Sequence, residues 1–259
     1  MTFRDLHFED EPLLLPNAWD VGSALAFAAA GFAAVGTTSF GVNASIGRPD
    51  AEGGSREATV ALLARLHALP VYLSADIEDG YSDDPAAVAA LVAGLDVDGV
   101  NIEDSAGGRL VDPTFPASKI TAIKKTSPEV FVNARVDSFW FHEDDTVDAV
   151  VDRAKAYADA GADCIFVPGA ADPKTLEQLT ASIPLPVNVL VVPGPSLADL
   201  KDLGVRRVST GSLPYRVAID AAVHVATAVQ NGRPMPTATS YAESQQRLLD
   251  FAHRAAEER

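Results

Sequence analysis

The chain has 259 residues, of which 47% are apolar and 22% charged, the balance of a packed domain and not of a disordered chain. Twenty Lys and Arg stand against 36 Asp and Glu, a formal net charge of −16. That charge speaks against nucleic acid or an anionic membrane as a partner, since both need a basic footprint. It also repels anionic ligands unless local Arg, backbone N–H groups or a metal offset it. The single cysteine, Cys164, excludes an intrachain disulfide, and without a Cys/His cluster the usual structural zinc site is excluded too. Met1-Thr2-Phe3-Arg4-Asp5 lacks the basic start and apolar run of a signal peptide, and no apolar stretch reaches membrane-spanning length, so a cytoplasmic protein is expected.

In chain order, β-rich runs occur at Leu13–Leu15, Ala33–Thr37, Val71–Ala75, Gly99–Glu103, Val130–Arg135, Asp163–Val167, Val187–Val191 and Arg207–Thr210. Helical stretches alternate with them: Ser23–Ala30, Ser55–Ala68 with Ser55 as N-cap, Pro85–Ala93, Ser118–Lys125, Thr146–Ala160, Pro173–Ser182 and Ser196–Leu203. Ala30-Gly31-Phe32, Ala160-Gly161-Ala162 and Leu203-Gly204-Val205 each put Gly between a helix and a strand, where an αβ turn closes. This alternation predicts an α/β fold, a (β/α)8 TIM barrel with an additional C-terminal helical segment. A doubly wound open sheet is the alternative. The barrel is preferred because polar residues end nearly every strand, as they do where barrel strands converge on one site: Asn17, Thr38, Asp76, Glu103, Arg135, Asn188 and Ser209. Residues 1–235 are assigned to the barrel and 236–259 to a charged amphipathic extension that packs on the barrel or on a neighbouring subunit.

The densest chemical signal is Ser74-Ala75-Asp76-Ile77-Glu78-Asp79-Gly80-Tyr81. Strand alternation puts Asp76 and Glu78 on one face, and two carboxylates at a strand mouth suit Mg²⁺, which keeps several waters; an acidic surface turn is the plainer reading. In Gly99-Val100-Asn101-Ile102-Glu103-Asp104 the same alternation pairs Asn101 with Glu103. In Val132-Asn133-Ala134-Arg135-Val136-Asp137 it pairs Asn133 with Arg135. A buried Arg135 needs an anion, either a substrate carboxylate or Glu103. Gly36-Thr37-Thr38-Ser39-Phe40-Gly41 offers hydroxyls and N–H groups to a carboxylate, or is an ordinary loop. Asp50, after Gly47-Arg48-Pro49, reads as a helix cap or as a holder of metal-bound water. Cys164 reads as core. Of the histidines only His142 falls at the strand-end side of the barrel, as an acid/base candidate or a surface residue. Arg109 lies where a loop could close over an anion, or is simply solvated.

Taken together and in this order, these motifs resemble the isocitrate lyase/phosphoenolpyruvate mutase superfamily from about Leu13 to Val217. Pro16-Asn17-Ala18-Trp19-Asp20 looks like its first-strand segment, and Thr38-Ser39-Phe40 falls where the family binds the substrate carboxylate. Asp76-Ile77-Glu78-Asp79-Gly80-Tyr81 matches the family's Asp-Ala-Asp-Thr-Gly-Tyr metal motif, with Glu78 for the second Asp. The resemblance implies Mg²⁺, or Mn²⁺ in its place, held most directly by Asp76, with Glu78, Glu103 and Asp50 on its waters. It implies Arg135 against the substrate, Asp50, Arg135 and Glu103 in catalysis, and Asn17, Trp19, Thr38, Ser39 and Phe40 around a small anionic carboxylate. Asn188 and Ser209, which end later strands, either line the same pocket or serve packing. The resemblance also implies a homo-oligomer.

The loop Ser105-Ala106-Gly107-Gly108-Arg109-Leu110-Val111-Asp112-Pro113 departs from isocitrate and methylisocitrate lyases, whose Lys-Lys/Arg-Cys-Gly-His loop carries a cysteine proton donor. Pro168 sits near the position of the mutase's histidine. The expectation is therefore a Mg²⁺-dependent lyase of the short-chain branch, cleaving a C–C bond of a 2-oxo or 2-hydroxy carboxylate through an enolate. The alternatives are P–C chemistry of the phosphonopyruvate hydrolase or mutase type, and a non-catalytic 2-oxo-acid-binding protein.

Overall fold

The computed structural model describes residues 1–50 and 54–257. Its elements are β1 (Leu13–Leu15), β2 (Asn17–Ala18), α1 (Val21–Ala29), β3 (Ala34–Thr37), α2 (Ser39–Ser45), α3 (Arg56–Leu66), β4 (Tyr72–Asp76), α4 (Pro85–Ala93) and β5 (Gly99–Ile102). A short hairpin follows, β6 (Ser105–Ala106) and β7 (Arg109–Leu110), then α5 (Thr114–Thr126), β8 (Phe131–Arg135), α6 (Ser138–Phe141) and α7 (Val147–Asp159). The last part comprises β9 (Cys164–Phe166), α8 (Pro173–Ser182), β10 (Val187–Leu190), α9 (Leu197–Asp202), β11 (Arg207–Ser209), α10 (Leu213–Gln230) and α11 (Tyr241–Glu257).

The main sheet is parallel throughout, in the order β1-β11-β10-β9-β8-β5-β4-β3-β2. Because β1 and β2 are consecutive pieces of one run, this order closes the sheet into a (β/α)8 barrel. Pro16 makes the break: it has no N–H for a ladder, while its carbonyl still accepts the Gly36 N–H at 2.8 Å. Leu15 on the other side accepts the Thr210 N–H at 3.2 Å. Followed round the barrel, the register returns to the first run shifted by about eight residues, the shear expected of such barrels.

Outward strand residues such as Val100, Ile102, Val132, Ile165, Val189 and Val208, with Ile77 just past β4, pack with Val88, Ile120, Val150, Leu176 and Leu200 of the helices to form the main core. Local chemistry sets the helix ends. Asp20 accepts the Ser23 N–H at 2.7 Å in a capping box, so α1 starts two residues before the predicted Ser23. Asp84, Thr146 and Asp172 cap their helices with a side-chain oxygen and Ser196 with a second capping box, each contributing about 1 kcal/mol. Gly31, Gly161 and Gly204 close their αβ turns at φ of 89°, 102° and 82°, as the recurring helix–Gly–strand phrase implies. Ser55 sits at the N-cap of α3 but makes no cap bond there; its hydroxyl serves the interior instead.

The amino-terminal segment plugs the far end of the barrel. Phe3, Leu6, Leu13, Phe131 and Cys164 form a separate cluster, and His7 stacks on Phe131 with centroids 4.0 Å apart. His7 Nδ1 lies 3.0 Å from the Phe3 carbonyl, and burial, helped by the Arg207 charge, pushes its imidazole down to about 3. Folded His7 therefore stays neutral while unfolded His7 takes a proton below its ordinary 6.5. Between these values the unfolded chain binds one more proton, and stability falls by about 1.4 kcal/mol per pH unit as pH drops. His7→Phe is expected to flatten the urea-unfolding stability profile between pH 6.5 and 4. A variant with an unchanged slope would contradict this account of the plug.

Among the described residues, α10 buries only Ala228 and leaves Val217, Val223 and Val229 exposed. Phe251 of α11 packs against the cluster formed by α1, α2 and α3. No helix among the described residues is long and apolar enough to cross a membrane.

Candidate active site

The carboxyl-terminal ends of the strands open into a cavity of about 470 Å³. Asn17, Thr38, Ser39, Phe40, Asp50, Asp76, Glu78, Glu103, Arg135 and Ser209 all line it, so ten residues singled out from the sequence meet at one place.

Asp76 ends β4 and is held on three sides. Its N–H donates to Thr37 Oγ1 at 2.8 Å, its Oδ2 accepts the Ser39 N–H at 2.9 Å, and its Oδ1 accepts from Asn101 Nδ2 at 3.2 Å. Asn101 Oδ1 in turn accepts from the buried Asn133 Nδ2 at 2.9 Å. The inward amides of β5 and β8 thus fix the Asp76 carboxylate from below. Ser39 is not in a loop but begins α2. That helix can pass so close because residue 41 is Gly: a Cβ there would lie 2.8 Å from both Thr38 Cγ2 and Trp19 Cβ.

Glu78 reaches the cavity by a different route from simple alternation. The strand ends at Asp76, and Glu78 turns inward at a left-handed φ of 50°. Its Oε1 accepts the Ser55 hydroxyl, and Ser55 Oγ lies 2.7 Å from the Tyr81 hydroxyl. Burial raises the Tyr81 phenol far above its ordinary range, so it remains an O–H at neutral pH.

Arg135, at the end of β8, donates from Nη1 to Glu103 Oε1 and from Nε to Asp137 Oδ1, each at 2.5 Å. Trp140 and Phe166 present their rings to its guanidinium at 5.7 and 5.8 Å. Burial pushes the Glu103 carboxyl up, and Arg135 opposes the shift. Asp137 is propped by Ser105 Oγ at 2.7 Å, and its own N–H donates to Asp104 Oδ1 at 2.8 Å. Asp104 accepts from Tyr157 at 2.8 Å and Arg153 at 3.1 Å. Glu103 therefore answers the sequence question of which anion meets Arg135, although the guanidinium keeps further N–H donors.

Two predicted lining residues lie elsewhere. Trp19 is not in the cavity wall but packs edge-on against Tyr215, with centroids 5.4 Å apart. Asn188 is fully buried beneath the cavity, donating to Ser209 Oγ at 3.1 Å. Asn17 lines the cavity, yet its Oδ1 accepts the Thr210 and Gly211 N–H groups and its Nδ2 donates to the Thr37 carbonyl. His142 is a solvent-exposed residue outside the cavity wall, 3.6 Å from Asp145, and Arg109 is exposed beside Glu143. Cys164 is buried, and burial pushes its thiol up to about 12, which makes it inert core. Sequence reasoning gave no separate role to Tyr81, Asp137 or Arg207. The first two stand inside the quoted motifs, and Arg207 was visible only as a charge in a strand.

The phosphoenolpyruvate phosphomutase family profile matches residues 3–230. The chain belongs to the phosphoenolpyruvate mutase family. This places it in the isocitrate lyase/phosphoenolpyruvate mutase superfamily of enzymes, as the motifs implied. An uncharacterized protein of Mycobacterium tuberculosis is 54% identical over 256 residues, covering 99% of both chains. A 2-methylisocitrate lyase of Bacillus subtilis is 31% identical over 198 residues, 71% of this chain and 64% of its own. A phosphonopyruvate hydrolase solved with oxalate and Mg²⁺ shares the fold at a TM-score of 0.84 and 23% identity, covering 100% of this chain and 99% of its own.

The donor set of this family member fits such an ion. Asp50, Asp76, Glu78 and Glu103 bring hard carboxylate oxygens to one cavity, with no thiol or imidazole among the lining residues. Among the described residues no three such groups converge into a ready-made cage. Mg²⁺ does not need one, since it binds through one or two carboxylates and keeps several waters.

Proposed function

We propose that this chain is a Mg²⁺-dependent lyase of the cytoplasm that cleaves a carbon–carbon bond next to the carbonyl of a small 2-oxo or 2-hydroxy carboxylate, through an enolate. The observation that carries the reading is the largely buried Arg135 cation facing a cavity into which the carboxylates of Asp76, Glu78, Glu103 and Asp50 converge. Mg²⁺ held by Asp76, with Glu78, Glu103 and Asp50 on its waters, would supply a positive charge beside the oxygen that turns anionic. Arg135 adds a fixed donor that needs no reorganisation, because Glu103 and Asp137 already hold its fork. Thr38 and Ser39 offer hydroxyls to the substrate carboxylate, and Phe40 closes one wall. The similarity to a 2-methylisocitrate lyase supports the bond type. The Ser105–Pro113 segment, without Cys, Lys or His, argues for a different substrate from that relative's.

The test is to incubate the purified protein and Mg²⁺ with oxaloacetate, alkylmalates and methylisocitrate, following pyruvate or glyoxylate. Turnover of at least one, lost on chelation, is expected; no turnover of any overturns the reading. Phosphonopyruvate in the same panel, followed by phosphorus NMR, tests the P–C alternative. Calorimetric binding of a 2-oxo acid without turnover would favour the binding-protein alternative.

The proposal includes self-association of identical chains. The exposed apolar stripe of α10 suits a second copy better than water. Val223→Asp is expected to shift the light-scattering mass toward a single chain. A wild-type protein that is already monomeric would refute this part.

A further inference from the structure

Among the described residues Lys119 and Arg207 are buried cations that the reading above does not use; Lys119 is tied to Asp79, and Arg207 has no such partner. It starts β11, one inward position deeper than Ser209, and lines the cavity from below with Ser74 and Asn101. Only 2% of it is exposed. Its Nε donates to Ser209 Oγ at 3.3 Å, and its Nη1 is sealed from solvent without a hydrogen-bond partner. Among the described residues no carboxylate pairs with it, in contrast to Arg135, which holds two. Burial pulls its guanidinium down to about 10, so it is still charged at neutral pH. The Asp76 charge acts on it only at longer range. A guanidinium buried without a bonded counter-charge is costly, and the cost is relieved when an anion brings the missing partner. Carboxylates match its fork, and the cavity reaches it.

We propose that Arg207 is the floor of an anion subsite that receives a terminal carboxylate of the ligand, so that the cavity selects a dicarboxylate standing end-on between Arg207 and the rim at Thr38 and Arg135. The dicarboxylate form of the inference rests on the carboxylate-binding reading above, but its test does not need turnover.

Malate and 2-hydroxybutyrate differ by a carboxylate in place of a methyl group. In calorimetric titrations of the full chain in Mg²⁺ buffer, malate is expected to bind at least tenfold more tightly. Arg207→Gln is expected to remove that preference by weakening malate tenfold or more while leaving 2-hydroxybutyrate within twofold. Arg207→Lys, which keeps the charge, is expected to retain part of the preference, and it decides the matter together with the wild-type comparison if the Gln variant does not fold. Equal affinities in the wild type, no binding of either acid, or a preference that survives Arg207→Gln would each overturn the subsite. A preference that depends on Arg207 without turnover of any substrate would leave the subsite standing and remove the lyase reading alone.

Discussion

Replacing Arg135 with Ala is expected to cost about 3–5 kcal/mol of stability, the largest loss from any single side chain around the cavity. The cause is what remains. Glu103 and Asp137, whose side chains are 14% and 0% exposed, would face each other without the cation between them. Glu103 would then favour the protonated form more strongly. A carboxyl whose folded pKa lies above its unfolded value contributes stability below the unfolded pKa and loses it as pH rises through the folded one. For Glu103, already raised by burial, the variant should therefore be weakest in alkaline buffer and recover on acidification toward its ordinary 4.5. Urea unfolding at pH 5 and pH 8 checks this sign. Equal losses at both values would mean that the two carboxylates find other partners. Arg135→Lys keeps the charge but not the fork, and should lose less stability than the Ala variant.

Asp76→Asn is expected to lower Mg²⁺-dependent turnover by about 10²–10³-fold or more, with little change in fold. The Asn side chain still has one oxygen for the Asn101 amide or the Ser39 N–H, but it loses the negative charge that would hold the cation. A readout free of substrate is the melting temperature. Mg²⁺ should raise it in the wild type, because a ligand bound only to the folded state stabilises that state, and should leave it unmoved in the variant. A variant that keeps both the shift and the turnover would remove Asp76 from the metal set.

Much of this arrangement was legible in the sequence. Alternation along a strand assigns a face, and it placed Asp76, Glu103 and Arg135 inward as the structure does. It does not assign depth. Asn188 and Ser209 both point into the barrel, but the register sets Asn188 beside Arg207, below the cavity. Nor does alternation continue past a strand's end. Glu78 arrives through a left-handed residue, and Trp19 leaves the strand to pack on Tyr215. The short helix α2 was hidden because Ser39-Phe40-Gly41-Val42-Asn43 has poor helix propensity; its N-terminal N–H at Ser39 is tied to Asp76. Ser55 carries the sequence mark of an N-cap, yet its hydroxyl serves Glu78, a choice made by tertiary packing.

The seam at Pro16 bears on how the chain comes to fold. Strands β1 and β11 cannot meet until nearly the whole polypeptide exists, and the side-chain bond from Asn17 to the Thr210 N–H spans 193 residues. Contacts of such sequence separation form slowly, since loop-closure entropy is lost before they return any stabilisation. Until then β1 is unpaired and the half-built sheet ends in raw edges at β2 and β10, the segments most prone to clump on the ribosome or after heating. Asn17 is both clasp and cavity wall, so ligand competence is the last property the nascent molecule acquires.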